Sequence, residues 1–331
     1  MLRLFALDAT RAFGELVASH IGQPLDPHED RTFEDGEHKA RPLVPVRGAD
    51  AYVIQSLHGG PDESANDKLV RLLFFLATLR QNSARRVTAV TPYLAYARKD
   101  RQTKPRDPVT TCYVAELLGA AGADAIVTLD VHNIVAFQNA FRCRAWHLDT
   151  RRLFIRHLLP SLGDAPLAVA SPDPGGVKRA QLFREMLEAE TGREIASAFM
   201  EKRRSAGAVS GTHLVGAVDG ATVLIVDDLI SSGGTMTRAA SALREHGARK
   251  VIALAAHGLF TGDAAEKLLG QEIDRWLVTD TVPPFRLPAV LAGRRVETVS
   301  AAPLIAEAIR RLHEDGSLVE ILGDELTAGE G

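Results

Sequence analysis

The sequence predicts an α/β protein of two domains, each a largely parallel sheet flanked by helices. Short runs such as Tyr52 to Ile54, Val87 to Val90, Ala125 to Leu129, Leu167 to Ala170, Val223 to Val226 and Val251 to Ala255 are apolar without alternation. That pattern suits strands covered on both faces. Longer amphipathic stretches separate the runs, as crossover helices separate parallel strands. The length, 331 residues with 46% apolar and 24% charged, suits two cores of ordinary globular composition.

Taken in order, Met1 to Ala6 is apolar but broken by Arg3 and followed by Asp8 and Arg11. It lacks the uninterrupted core of a signal peptide and is expected to be the first strand. After Val226, Met236, Ala239, Ala240 and Leu243 fall at i, i+3, i+4 and i+7, and Gly247 follows as a stop, which predicts a helix. Leu304, Ile305, Ala308, Ile309 and Leu312 share one helical face behind Pro303, a residue suited to a first turn. Beyond Glu314 the chain turns polar. The break between domains is expected around Phe141 to Leu148, and no internal repeat is evident.

Composition excludes several classes. A formal charge of -3 gives no basic excess to draw nucleic acid. Cys112 and Cys143 are too few for a disulfide framework and lack zinc spacing, so two buried thiols in a reducing compartment are expected. No stretch approaches the roughly 20 uncharged apolar residues of a membrane span, which makes the cytoplasm the expected location.

The strongest local signal is Val223-Leu-Ile-Val-Asp-Asp-Leu-Ile-Ser-Ser-Gly-Gly-Thr235, a buried strand running into two acids, a small-residue loop and a helix. Ligands of open parallel sheets sit beyond the carboxyl ends of strands, where Asp227 and Asp228 emerge. Ser231, Ser232, Gly233, Gly234 and Thr235 lack bulk, so backbone N–H groups and the helix N-terminus can meet a phosphate. Carboxylates beside such a cradle suit a ligand with hydroxyls next to its phosphate, as in a pentose phosphate. Between Pro92 and Arg101, Arg98 and Arg101 flank Lys99 and Asp100 in a cationic loop able to fork onto phosphate. In Ser171-Pro-Asp-Pro-Gly-Gly176, the prolines fix backbone angles and hold Asp173 at a strand end. Strand alternation would put Lys202 and Arg204 on one face, with Arg203 turned away.

The segment ending at Thr235 resembles the phosphoribosyl diphosphate motif shared by type I phosphoribosyltransferases and ribose-phosphate pyrophosphokinases. By itself it does not choose between them. Phe33-Glu-Asp-Gly-Glu37, Pro92-Tyr-Leu-Ala-Tyr-Ala-Arg-Lys-Asp-Arg101, Ser171 to Gly176 and Glu201-Lys-Arg-Arg204 stand in the order in which the pyrophosphokinases carry them. Arg47 to Ser56, Asp130-Val-His132 and Ser300 to Ile309 extend the likeness over most of the chain. The sequence is therefore identified as a member of the ribose-phosphate pyrophosphokinase family. Its retained basic and acidic residues set it apart from the family's non-catalytic associated subunits.

The resemblance implies a phosphoribosyltransferase-like fold with an ATP-side domain over 1–146, joined by the C-terminal helix 303–313. A ribose-5-phosphate domain over 147–302 and a polar tail over 314–331 complete the expectation. It implies diphosphate transfer from ATP to the C1 hydroxyl of ribose 5-phosphate, giving 5-phosphoribosyl 1-diphosphate and AMP. Lys202 and Arg204 would be catalytic on a mobile loop, with Ser205 to Gly211 as its small-residue part. Phe33, Asp35, Gly36, Glu37, Arg98, Lys99 and His132 would bind ATP, the first four reaching a neighbouring subunit's site. Lys99 stands where family members more often carry glutamine. Arg204, Asp227, Asp228 and Ser231 to Thr235 would bind the sugar phosphate. Ser231 replaces a third acid common in bacterial members, and its hydroxyl can still donate to phosphate. His132 and Asp173 would hold Mg2+, an ion that prefers oxygen ligands. A homo-oligomer built from dimers, up to a hexamer, is implied, with neither nucleic acid nor membrane as partner.

Overall fold

The computed structural model describes residues 1–205 and 208–322, in backbone only at 201–205, 208–213 and 322. The chain divides into two compact units, one of Met1–Asp149 with Ala301–Gly331 and one of Thr150–Ser300.

The first unit runs β1 (Leu2–Ala6), α1 (Arg11–Ile21), β2 (His28–Thr32), β3 (His38–Pro42), β4 (Asp50–Ile54), α2 (Ala65–Gln81), β5 (Arg86–Thr91), α3 (Thr110–Ala120), β6 (Ala125–Leu129), α4 (Ile134–Ala140) and β7 (Arg144–Leu148). Its sheet has the order β1-β4-β5-β6-β7, every pair parallel. β2 and β3 form a separate antiparallel hairpin. On one face, Phe5, Ala51, Val53, Val87, Ala89 and Ile126 join Leu72, Leu76, Leu118 and Phe137 of the helices in one core. A capping box starts α2, with Ser64 and Asp67 each accepting the other's backbone N–H.

The second unit continues with α5 (Arg151–Leu158), β8 (Leu167–Ser171), α6 (Val177–Thr191), β9 (Ala196–Ser205), β10 (Ala208–Val215), β11 (Thr222–Ile230), α7 (Gly234–Glu245), β12 (Lys250–Gly258), α8 (Ala264–Leu269), β13 (Arg275–Thr279), α9 (Ala289–Arg294) and β14 (Val296–Val299). The sheet order is β10-β9-β8-β11-β12-β13-β14, parallel except for the β9–β10 pair. Val223 and Ile225 of β11 enter a core with Met236, Ala239, Ala240 and Leu243 of α7, whereas Leu224 and Val226 enter another with Phe154 of α5 and Phe183 of α6. Burial on both faces explains why these strands read as unbroken apolar runs.

All the apolar runs named from the sequence are strands, and the two periodic stretches are helices: α7, and α10 (Ala302–His313) with Pro303 in its first turn. A last turn, α11, spans Val319–Leu322. Phe141 to Leu148, read as a break, carries β7, and the units separate after Asp149. β7 shows only Leu148 fully buried, so its sequence lacks the apolar run that marks the inner strands. The hairpin escaped for the same reason, since β2, His28-Glu-Asp-Arg-Thr32, carries no apolar run.

α10 returns to the first unit and packs on α1. Its attachment is also ionic. Asp50, fully buried at the start of β4, accepts from Arg86 Nε at 2.7 Å, and Arg86 Nη2 also donates to the carbonyl of Leu312 at 2.7 Å. His313 Nδ1 lies 2.7 Å from Asp50 Oδ2. Replacing Asp50 by alanine removes the buried acid on which the half-buried Arg86 and His313 converge and is expected to lower unfolding stability by about 3 kcal/mol in urea titrations. Breaking the exposed Arg310–Glu307 pair on the same helix should leave the midpoint in place; equal effects would refute the Asp50 anchor.

Candidate active site

β11 delivers two acids where its apolar cover ends. Asp228 is 4% exposed and Asp227 somewhat more open, and the Asp228 backbone N–H donates to Asp227 Oδ1 at 2.9 Å. Arg179, in the first turn of α6, brings Nη1 to 3.1 Å from Asp227 Oδ1 and 3.4 Å from Asp228 Oδ1. Burial first, then the hydrogen bond and charge of Asp228, push the Asp227 carboxyl up to about 8, against the pull of Arg179.

The loop beyond the acids is built to approach an anion. Gly233 adopts φ 79°, the left-handed region, and caps α7. Added to Gly233, a Cβ would stand 3.4 Å from the buried indole of Trp276, so the turn is floored by that ring. The first N–H groups of α7 have no carbonyl within their own helix and face outward, which favours a phosphate. Ser231 Oγ is 3.0 Å from Thr261 Oγ1, and the Thr261 N–H donates to the Ser231 carbonyl at 2.9 Å, pinning the start of the loop. Arg238 Nη2 donates to Thr235 Oγ1 at 3.4 Å, adding a cation one helical turn from the cradle.

Asp173 follows β8, the strand paired with β11. Its Oδ1 accepts from the N–H groups of Gly175 and Gly176 at 2.8 and 3.1 Å, while Ser171 Oγ donates to its carbonyl at 2.6 Å. The carboxylate is thus set by its own turn. Lys202 and Arg204 lie on β9, beyond its pairing with β8, opposite Thr212 and Val209 of β10. Of the stretch Ser205 to Gly211, residues 206 and 207 lie outside the described residues.

The first unit holds the other segments. Phe33 to Glu37 form the exposed tip of the β2–β3 hairpin, closed by Phe33 N–H to the Glu37 carbonyl at 2.7 Å and by Gly36 at φ 90°. Arg31 stacks its guanidinium 5.1 Å from the Phe33 ring. Arg98 and Lys99 follow β5, and His132 follows the adjacent β6. Asn133 joins these loops, donating to Asp100 Oδ2 at 2.7 Å. Arg98 is exposed, whereas Lys99 Nζ donates to Asp107 Oδ2 at 2.6 Å. That contact, with the Thr103 hydroxyl and the backbone N–H groups of Thr103 and Lys104, holds the Asp107 carboxyl well below its usual range. Among the described residues no helix is long and apolar enough to cross a membrane.

A family model for the N-terminal domain of ribose phosphate pyrophosphokinase matches residues 2–122, and one for a phosphoribosyl synthetase-associated domain matches residues 193–322. The ribose-phosphate pyrophosphokinase of Hyphomonas neptunium is 35% identical over 97% of this chain and 99% of its own. The chain belongs to the ribose-phosphate pyrophosphokinase family. The relative from Caldanaerobacter subterraneus subsp. tengcongensis is 37% identical over 97% of each chain. The crystal structure of phosphoribosylpyrophosphate synthetase from Mycobacterium smegmatis matches with a TM-score of 0.85 at 34% identity, over 95% of this chain and 99% of that one. Membership makes the chain an enzyme of diphosphate transfer in nucleotide biosynthesis and supports synthesis of phosphoribosyl pyrophosphate. The fold is the phosphoribosyltransferase-like α/β arrangement that the sequence implies.

Sequence reasoning missed Arg179, Trp276 and Arg238. Arg179 and Arg238 read as surface charges of amphipathic helices, and the one available clue was their position one turn after a glycine pair. Trp276 sits on a strand whose order in the sheet no local pattern reveals.

The folded chain holds the Asp227 proton more tightly than an unfolded carboxyl, which titrates near 3.8. Stability is therefore withdrawn as pH rises from about 4 to about 8. Asp227→Asn is expected to melt about 2 to 4 °C above the parent at pH 8 and level with it near pH 4. Calorimetric scans showing a pH-independent difference would refute the crowded-acid assignment.

Proposed function

We propose that the enzyme transfers the terminal diphosphate of ATP to the C1 hydroxyl of ribose 5-phosphate, forming 5-phosphoribosyl 1-diphosphate and AMP. The observation that carries this reading is the cradle in a chain of this family: two acids at the end of β11, a left-handed glycine and the start of α7 support the sugar-phosphate end, and membership of the pyrophosphokinases supports ATP as the donor. Asp227 and Asp228 accept from the ribose hydroxyls, and Ser231, Ser232, Gly233, Gly234 and Thr235 receive the 5-phosphate. The C1 oxygen forms a bond to the β-phosphorus as the bond from that phosphorus to the AMP oxygen breaks. The hydroxyl proton is released to solvent water. Positioning and positive charge do most of the work in such reactions. Lys202 and Arg204 supply that charge at the transferring group, and Arg204 also touches the sugar phosphate.

Phe33, Asp35, Gly36 and Glu37 take the adenine end, with Arg98 along the polyphosphate. The exposure of the hairpin tip supports its use in a neighbouring subunit's site, within a homo-oligomer built from dimers up to a hexamer. Lys99 serves the same nucleotide segment, through the loop it braces at Asp107. A cytoplasmic setting fits these soluble substrates.

Asp173 and His132 are the proposed metal residues. Asp173 presents Oδ2 with no partner among the described residues, a hard oxygen of the kind magnesium takes. No group of three or more acidic, histidine or cysteine side chains gathers for a metal among the described residues. Bound Mg2+ would neutralise polyphosphate charge.

The test is incubation with ATP, ribose 5-phosphate and Mg2+, followed by phosphorus NMR. AMP and phosphoribosyl pyrophosphate should appear in equal amounts; ADP with a phosphorylated sugar, or no product, would sink the proposal. Lys202→Ala should lower kcat by about a hundredfold or more without loss of fold. Asp227→Ala should raise the KM for ribose 5-phosphate, and unchanged saturation would remove Asp227 from the sugar site.

A further inference from the structure

Arg71 of α2 is a charged side chain with only 8% exposure, remote in sequence from every motif above. Its guanidinium is shared among three partners. Nη1 donates to Asp30 Oδ1 at 2.5 Å, Nη2 donates to Thr32 Oγ1 at 2.6 Å, and Nε lies 2.8 Å from Glu63 Oε1. Asp30 is equally deep, its side chain 5% exposed. Taking a cation and an acid out of water is tolerated only with such pairing, here two hydrogen bonds from the Nη atoms and an ion-pair contact from Nε to Glu63, and a planar fork meets these partners at once where an ammonium would not.

Asp30 and Thr32 belong to β2, and Phe33 begins the tip immediately after Thr32. The hairpin joins neither larger sheet. Two strands alone are marginal in water, so the direction of this hairpin is set by what it leans on. β3 lies along α2. There, His38 stacks on Phe74 at 5.2 Å, and His28 of β2 meets Phe75 edge-on at 5.5 Å. Aromatic contacts of this kind hold the hairpin down but tolerate rotation and sliding. The Arg71 fork ties the last residue before the tip, and a rigid fork fixes angle as well as distance.

We infer that Arg71 is a positioning residue for the nucleotide: by clamping Asp30 and Thr32 to α2, it sets the direction in which Phe33 to Glu37 meet adenine. The inference rests on the reading of the hairpin tip as the adenine contact. A role in stability alone would lower the melting temperature and leave substrate saturation untouched.

Steady-state kinetics on the full chain separates these cases. Phe33→Ala tests the tip, Arg71→Gln tests the clamp, and Thr32→Val removes one neutral arm while both ion pairs stay, which guards against a misfolded Arg71→Gln. Phe33→Ala and Arg71→Gln should each raise the KM for ATP about tenfold, with the KM for ribose 5-phosphate within about twofold of the parent. Thr32→Val should raise the ATP KM by a smaller factor, and Arg71→Lys should restore part of it. The double variant Arg71→Gln with Phe33→Ala should raise the ATP KM by less than the product of the two single effects, because both changes act through the same tip. If Phe33→Ala raises the ATP KM while Arg71→Gln and Thr32→Val leave it unchanged, the clamp has no positioning role and the inference is overturned. If Phe33→Ala itself leaves the ATP KM unchanged, the adenine reading of the tip fails and takes the inference with it.

Discussion

Crowding of Asp227 against Asp228 is the constraint around which the second unit is arranged. Two adjacent carboxylates this deep repel, and the Arg179 guanidinium offsets the repulsion only in part. Such a pair survives because β11 cannot move away from it: β8 and β12 fix its register, and apolar side chains cover both of its faces. In the proposed reaction, sugar hydroxyls bring donors and a cation brings charge to the end of β11 where the two acids stand side by side.

The two units hold their functional segments by different means. In the second, the cradle is an extension of a packed strand and helix, with an indole beneath its glycine. In the first, the segments are a two-stranded hairpin and two loops, joined by polar links such as Asn133 to Asp100 and Lys99 to Asp107. Packing fixes positions finely, because an interior leaves little room to shift. Polar links fix them through orientation, and their strength depends on charge state and salt.

Legibility in the sequence followed the same division. Inner strands announced themselves, since a strand covered on both faces has no polar register to disguise it. The run Val223 to Thr235 could be read as strand, acids, loop and helix because each part uses residue types that its backbone requires. β7 and the hairpin stayed hidden, as each has polar residues on open faces and depends on neighbours distant in sequence. Arg179 was hidden for a related reason. Nothing local distinguishes an arginine that turns inward to a strand 48 residues away from one that faces solvent. Lys99 shows the converse, a charge legible as part of a cationic loop whose partner, Asp107, only the folded loop reveals.

The return of α10 to the first unit makes Thr150–Ser300 an insertion between two parts of one domain. During synthesis the inserted unit leaves the ribosome ahead of the helix that Asp50 and α1 await. The later-encoded unit can therefore mature first, while the earlier-encoded one keeps an uncovered apolar surface on α1 until residue 313 emerges. A released chain that lacks this helix has one half able to pack and one adhesive half, a natural client for chaperones.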